Sequence, residues 1–184
     1  MGKFTFNKTA IDGVYVIEPT VFGDERGYFM ETYSETDFKE VGLDYKFVQD
    51  NQSSSRRGVL RGLHFQKEHP QAKLVRVLSG EVFDVAVDLR ENSPTFGKWV
   101  GELLSADNHK QLMIPRGFAH GFLVVSEKAE FAYKCDEFYH PEDEGGVMYD
   151  SCGIEWPEID GELVLSEKDL KHPKLEGLDF KFKL

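Results

Sequence analysis

The chain is poor in cysteine, poor in basic residues, and has no long apolar run. Its two cysteines, Cys135 and Cys152, form no CxxC pair and no metal-ligand spacing, so nothing demands an oxidising compartment. Six histidines, His64, His69, His109, His120, His140 and His172, include no HxH, HxxxH or HExxH. No local motif therefore gathers metal ligands, and no metal is expected. The N-terminus has no export-type apolar run, and no stretch has the length and apolarity needed to span a bilayer. A cytoplasmic protein without membrane contact is expected. Lys and Arg number 22 against 33 Asp and Glu, a net charge of -11. That balance argues against general nucleic-acid binding, though a local arginine cluster can still hold one small anion. What the chain does have is glycine and aromatics: 17 Gly, 15 Phe and 7 Tyr in 184 residues. They favour strands and tight turns, and the length suits one domain, 1–184, with a real core.

The stretch from Val59 to Leu89 organises the rest. Phe83, Val85, Val87 and Leu89 alternate with Val82, Asp84, Ala86 and Asp88. This is a period of two with one apolar and one mixed face. Ser79-Gly80 lies between two such runs and predicts a hairpin over Leu74–Asp88. A face bearing Asp looks onto water or onto a polar cavity. The usual exposure of charged residues favours water, and the nearby Arg61, His64 and Lys73 favour a cavity.

Around it the pattern predicts short strands at Phe4–Phe6, Val14–Glu18, Phe47–Gln52, Trp99–Leu104, Gln111–Pro115, Gly121–Val125 and Glu130–Cys135. Gly23 and Gly27 bracket a charged turn. A helix is predicted over Ser34–Val41, capped by Ser34 or Thr36 and stopped by Gly42. Ser53–Arg57 reads as a loop, and His140–Gly146 as an acidic loop ending in glycine. Many short strands, few short helices and no linker indicate an all-β sandwich or barrel.

Of the histidines, His64 and His120 lie in strand-like contexts, where most histidines are simply hydrogen-bonded. His64 has the richer setting. Strict alternation puts Arg61 and His64 on opposite faces, but Gly62 between them can support a bulge that brings both to one pocket. Cations in such a pocket suit an anion, and a histidine beside them suits a base. A carboxylate must then orient the ring, and Asp84 or Asp169 can supply it. Tyr133 alternates with Phe131 and Cys135, which fits packing in a barrel or service as a general acid.

The motifs, taken together, resemble the dTDP-4-dehydrorhamnose 3,5-epimerase family. They are Asp24-Glu25-Arg26-Gly27-Tyr28-Phe29, Val48-Gln49-Asp50-Asn51, Leu60-Arg61-Gly62-Leu63-His64, Lys73-Leu74-Val75-Arg76, Gly80 to Val85, Pro94-Thr95-Phe96-Gly97, Pro115 to Gly121, Tyr133-Lys134 and Ser166-Glu167-Lys168-Asp169. They follow the family order from about residue 17 to 169. The resemblance implies a cupin-type double-stranded β-helix, or jelly roll, and a cofactor-free epimerase acting on a dTDP-linked keto sugar. It implies His64 as base, Asp169 as its orienting carboxylate, Tyr133 as acid and Lys73 as the cation at the enolate oxygen. It assigns Arg26, Glu31, Gln49, Asn51, Arg61, His120, Glu144 and Lys168 to substrate contact, and Tyr139 to stacking on thymine, where the family often has Trp. It further implies a homodimer whose sites borrow Arg26 and Glu31 from the partner. Two other classes stand beside it. A metal-dependent cupin oxygenase would want more histidines than His64-Phe65-Gln66 and a lone His120 provide. A non-catalytic sugar-binding jelly roll would not need both a base and an acid. Within the epimerase class, an enzyme acting at carbon 3 alone or carbon 5 alone shares the same His and Tyr.

Overall fold

A computed structural model describes residues 3–183. One antiparallel sheet has six strands in the order β1 (Phe4–Lys8), β2 (Tyr15–Pro19), β10 (Gln111–Ile114), β7 (Lys73–Ser79), β12 (Lys128–Cys135) and β5 (Gln49–Arg56). A second antiparallel sheet has five, in the order β13 (Glu144–Gly146), β6 (Leu60–Gln66), β11 (Phe118–Val124), β8 (Glu81–Asp88) and β9 (Trp99–Ser105). β3 (Phe22–Asp24) and β4 (Gly27–Phe29) form a separate hairpin around the charged turn. Helix α1 (Glu35–Glu40) begins where predicted. The Ser34 side chain caps it by accepting from the Asp37 N–H, and Phe38 is its buried residue.

The two sheets pack face to face and share a core in which Val75, Val77 and Phe131 meet Val82, Leu104 and Phe122. The outer face of each sheet is also covered. Leu63, Phe65, Val85 and Val87 pack under the C-terminal segment with Val147 and Phe182. Leu74, Ile17 and Met113 pack under Phe38 and Leu43. The apolar stripe of β8 is thus the outer one, and its mixed stripe looks inward. Asp84 and Asp88 are both 0% exposed, so the solvated-face alternative is wrong for these two residues.

The predicted Leu74–Asp88 hairpin is also wrong. β7 pairs with β10 and β12, whereas β8 pairs with β9 and β11. Ser79-Gly80 is a corner that carries the chain from one sheet to the other. Period-two alternation describes each strand on its own and carries no information about its partner. Ser53–Arg57 differs as well. Ser53 to Arg56 continue β5 and pair with Phe131 to Lys128 of β12. Cross-strand pairing overrides the low strand propensity of serine here.

The Gly62 bulge is present. His64 lies opposite His120 and Arg61 opposite Phe122, so three steps on β6 match two on β11. Phe122 is an inward residue, and the extra residue turns Arg61 inward as well. Gly62 has φ +127°, and a Cβ there would stand 2.6 Å from the Gly121 Cα and 2.8 Å from the His120 carbonyl oxygen. Only glycine lets the two backbones approach this closely.

A substitution checks this dependence. Gly62→Ala should cost about 1–3 kcal/mol of stability in urea unfolding, the range for a side chain forced into a glycine-only conformation. Gly177→Ala, where a Cβ meets nothing within 4 Å, should change stability by less than about 0.5 kcal/mol. Equal effects of the two changes would contradict the role given to the bulge.

Candidate active site

The inner faces of both sheets converge on one polar region. On β7 the inward parity is Lys73, Val75, Val77, and on β12 it is Ala129, Phe131, Tyr133. On β5, Asn51 is opposite Tyr133 and Gln49 opposite Cys135. On β6 and β11 the inward histidines His64 and His120 face each other across the ladder. Apolar packing therefore fills one part of the interior, and these polar residues occupy the other.

His64 Nε2 lies 2.6 Å from Asp169 Oδ1. Asp169 opens a short 3-10 turn, Asp169–Lys171, and is 4% exposed. Its other oxygen accepts from the Gly62 N–H at 3.5 Å. Burial opposes the Asp169 charge, but the hydrogen bond and charge of His64 and the Gly62 N–H outweigh it and hold the carboxyl below its usual range. With Nε2 engaged, Nδ1 is the remaining ring nitrogen, and it makes no hydrogen bond among the described residues.

Asp84, the other carboxylate considered for His64, serves His120 instead, at 2.9 and 3.1 Å. Burial raises the Asp84 carboxyl and lowers the His120 imidazole from their ordinary values, and their contact opposes both shifts. Lys73 has no hydrogen bond or ion pair among the described residues, and its ammonium lies 5.9 Å from the Tyr133 ring centroid. Burial lowers it from its usual range, while Cys135, Asp84 and Glu144 pull the other way. The Tyr133 phenol is pushed up to about 12, first by burial and then by Cys135, with Arg61 opposing. At neutral pH the phenol therefore keeps its proton. Cys135, buried beside Lys73 and Asn51, rises to about 11.

At the mouth, Arg61, His64, Glu144, Lys168 and Asp169 line a cleft of about 330 Å³. The Arg61 guanidinium donates to Ser55 Oγ at 3.1 Å. Tyr139 donates to Glu144 at 3.0 Å, Lys168 pairs with the same carboxylate, and Gln49 accepts from the Tyr139 N–H. Burial works against the Glu144 charge, and the bonds from Lys168 and Tyr139 more than offset it, so its carboxyl sits below the usual range. Gln49 in turn donates to Asn51. The segment read as an acidic loop supplies this rim through a 3-10 turn and β13.

Two expected contact residues do not line this cleft. Arg26 is held by Asp24 at the tip of the β3–β4 hairpin, and Glu31 binds Lys3. One residue was missed. His172 places its ring edge-on to His64, with centroids 5.7 Å apart. Its spacing of three from Asp169 in a turn was the available signal. His64, Asp169 and His172 offer three metal-type ligand atoms within 4.8 Å of one another. Sequence spacing could not reveal this set, because its members come from a strand and from a turn about a hundred residues later.

Two antiparallel sheets thus enclose, in a jelly roll, a carboxylate-bound histidine, a lysine without a hydrogen bond among the described residues and a tyrosine that keeps its proton. The family follows from comparison. The dTDP-4-dehydrorhamnose 3,5-epimerase family model matches residues 8–177, and the chain belongs to that family, an isomerase family with the cupin-type jelly roll. It is 58% identical over 172 residues to a dTDP-4-dehydrorhamnose 3,5-epimerase of Methanothermobacter thermautotrophicus, covering 92% of this chain and 93% of the relative. The structure of a Legionella pneumophila dTDP-6-deoxy-D-glucose-3,5-epimerase in complex with dTDP-4-keto-L-rhamnose is similar, with TM-score 0.94 and 47% identity over 98% of this chain and all of that one. A 3'-monoepimerase of Streptomyces bikiniensis in complex with dTDP-quinovose is also similar, with TM-score 0.87 and 33% identity over 92% of this chain and 87% of that one. Among the described residues no helix is long and apolar enough to cross a membrane.

The depressed carboxyl of Asp169 gives a signed prediction. A folded value below the unfolded one, about 3.9, means stabilisation that is present above that pH and lost as pH falls through the folded value. Asp169→Asn should therefore cost about 1–3 kcal/mol near neutrality, and the deficit should shrink below about pH 4. Urea unfolding of both proteins across pH checks this, and a deficit that grows in acid would contradict it.

Proposed function

We propose that the chain inverts carbons 3 and 5 of dTDP-4-keto-6-deoxy-D-glucose to give dTDP-4-keto-L-rhamnose, as a cytoplasmic, single-domain enzyme of dTDP-L-rhamnose biosynthesis. The ketone at carbon 4 acidifies the hydrogens on carbons 3 and 5. His64 takes one such proton at Nδ1 while Asp169 stabilises the imidazolium. The electron pair passes to the carbonyl oxygen, and the resulting enolate is stabilised by the Lys73 ammonium. Tyr133 returns a proton to the same carbon from the opposite face, and the tyrosinate recovers its proton by way of His64 and solvent. Nothing is oxidised or reduced overall, so the chemistry needs no redox cofactor.

The observation that carries this proposal is His64 on one sheet, bonded to Asp169 of the C-terminal turn, with the protonated Tyr133 on the other sheet and Lys73 beside it without a hydrogen bond among the described residues. Arg61 suits the diphosphate, because a guanidinium forks onto two oxygens. Tyr139, braced by Glu144, offers a face for thymine, and Gln49, Asn51, His120 and Lys168 complete the polar lining. Arg26 and Glu31 are assigned to the site of a second copy in a homodimer. Neither lines the cleft around His64, which supports this, as do Phe22, Tyr28 and Phe29 of the β3–β4 hairpin, 59%, 61% and 66% exposed. Inversion at one carbon alone is the second reading, favoured by the similarity to the 3'-monoepimerase.

Two variants test the roles. His64→Ala should lower turnover by about two to four orders of magnitude with the fold intact, the usual effect of losing a general base. Near-normal turnover in a folded variant would remove His64 from the mechanism. Tyr133→Phe should still exchange substrate hydrogen with heavy water, because base and lysine remain. The enolate then takes its deuteron on the face it left, so configuration is retained and net inversion falls by about two to four orders of magnitude. Mass and NMR analysis of the recovered sugar nucleotide separates these outcomes. Inversion at the wild-type rate would mean Tyr133 only packs.

A further inference from the structure

Tyr139 lies between the end of β12 at Cys135 and the 3-10 turn Pro141–Asp143, in a stretch that belongs to neither sheet. Phe138 and Tyr139 are 57% and 52% exposed. Ladder pairing and burial usually fix a backbone, and this stretch relies on neither. Side-chain amides hold it instead. Gln66 Nε2 donates to the Phe138 carbonyl oxygen at 3.0 Å, and Gln66 Oε1 accepts from the His140 N–H at 2.8 Å. One amide thus grips the residue on each side of Tyr139. The Tyr139 N–H itself donates to Gln49 Oε1 at 3.0 Å. Gln66 Nε2 also donates to the His69 carbonyl oxygen at 2.7 Å. Two carbonyls and one N–H permit only one orientation of the Gln66 amide. His69 and His140 stack with ring centroids 4.1 Å apart, and Asp143 accepts from the Glu68 and His69 N–H groups.

Gln66 follows His64 by two residues on β6 and so shares its inward face. It is 4% exposed, and its amide nitrogen is already spent on two carbonyls, so it offers no donor to a substrate. We propose that Gln66 is a positioning residue: by clamping the backbone on both sides of Tyr139 it fixes the aromatic platform at the height and tilt needed to receive the nucleobase, and so sets nucleotide affinity from the strand that carries His64. The proposal rests on the assignment of Tyr139 as the platform for thymine. An exposed ring on an unclamped stretch must be ordered each time a nucleotide binds, and that ordering is subtracted from affinity. A ring held in place beforehand avoids the loss. The hydroxyl bond from Tyr139 to Glu144 fixes the far end of the ring, and the Gln66 clamp fixes the near end.

Gln66→Met keeps the volume and removes all three hydrogen bonds. Its KM for the dTDP-linked keto sugar should rise about tenfold with kcat within about twofold of wild type, the pattern of lost uniform binding. Its calorimetric affinity for dTDP should fall by the same factor. A purely structural role would lower the unfolding midpoint and leave KM and dTDP affinity in place, and that result would overturn the proposal. A fall in kcat at unchanged KM would also overturn it, because Gln66 would then act through His64. If the Met variant does not fold, Gln66→Glu decides. It keeps the size and the acceptor for His140 and loses the donor to Phe138 and His69, so dTDP should again bind about tenfold more weakly, and wild-type affinity would overturn the proposal. Tyr139→Ala keeps the two assignments apart. It should weaken dTDP by about tenfold or more, the scale of one lost base stack, and adding the Gln66 change to it should cost nothing further. Losses that multiply would overturn the proposal. If Tyr139→Ala binds dTDP as wild type does, the assignment of the platform has failed. If it binds weakly while the Gln66 variant binds normally, only the role of Gln66 has failed.

Discussion

The 2.6 Å contact between His64 and Asp169 spans 105 residues of sequence, and much of the site depends on it. It holds the C-terminal turn against β6. It also directs one ring nitrogen to the carboxylate and leaves the other free. The bulge at Gly62 serves the same contact, because the Gly62 N–H binds the second oxygen of Asp169 while the extra residue turns Arg61 inward. A single backbone irregularity thus orients a histidine, seats its carboxylate and adds a cation to the same cavity.

The interior carries more charge than a core of this size tolerates unpaired. Most of it is paired. Asp84 meets His120, Asp88 receives Arg90, Ser93 and Thr95, and Glu144 receives Lys168 and Tyr139. Lys73 is different, because its ammonium stands without a hydrogen bond among the described residues. A cation kept desolvated and free has an electrostatic cost on folding, and it is best placed to meet negative charge that appears only during reaction. Tyr133 is the complementary case, a phenol whose burial makes it hold its proton. The two side chains lie on neighbouring strands of the six-stranded sheet, β7 and β12, facing His64 on the other sheet. That disposition is what inversion at carbon requires.

Much of this was legible in the sequence, and the failures share a cause. Alternation gave the strands and their faces, and Ser34 with Gly42 marked the helix. Gly62 flagged the bulge because a glycine between two polar residues of opposite parity has few other uses. The hairpin across Ser79-Gly80 failed because period two does not name a partner. Ser53–Arg56 failed because pairing with β12 outweighs serine's low preference for strands. For Asp84 and Asp88 the usual exposure of aspartate misled, since His120 and Arg90 satisfy them inside. His172 was passed over because its neighbour His64 is far away in sequence and only the fold brings them together. Arg26 and Glu31 carry family assignments that one chain cannot display.

The central claim is that one cavity exchanges and inverts both carbons beside the ketone. Incubating the wild-type protein with dTDP-4-keto-6-deoxy-D-glucose in heavy water tests it most directly, with the product analysed by NMR and mass spectrometry. The account predicts solvent deuterium at carbon 3 and at carbon 5, with inverted configuration at both. Deuterium and inversion at one carbon alone, or at neither, would contradict it.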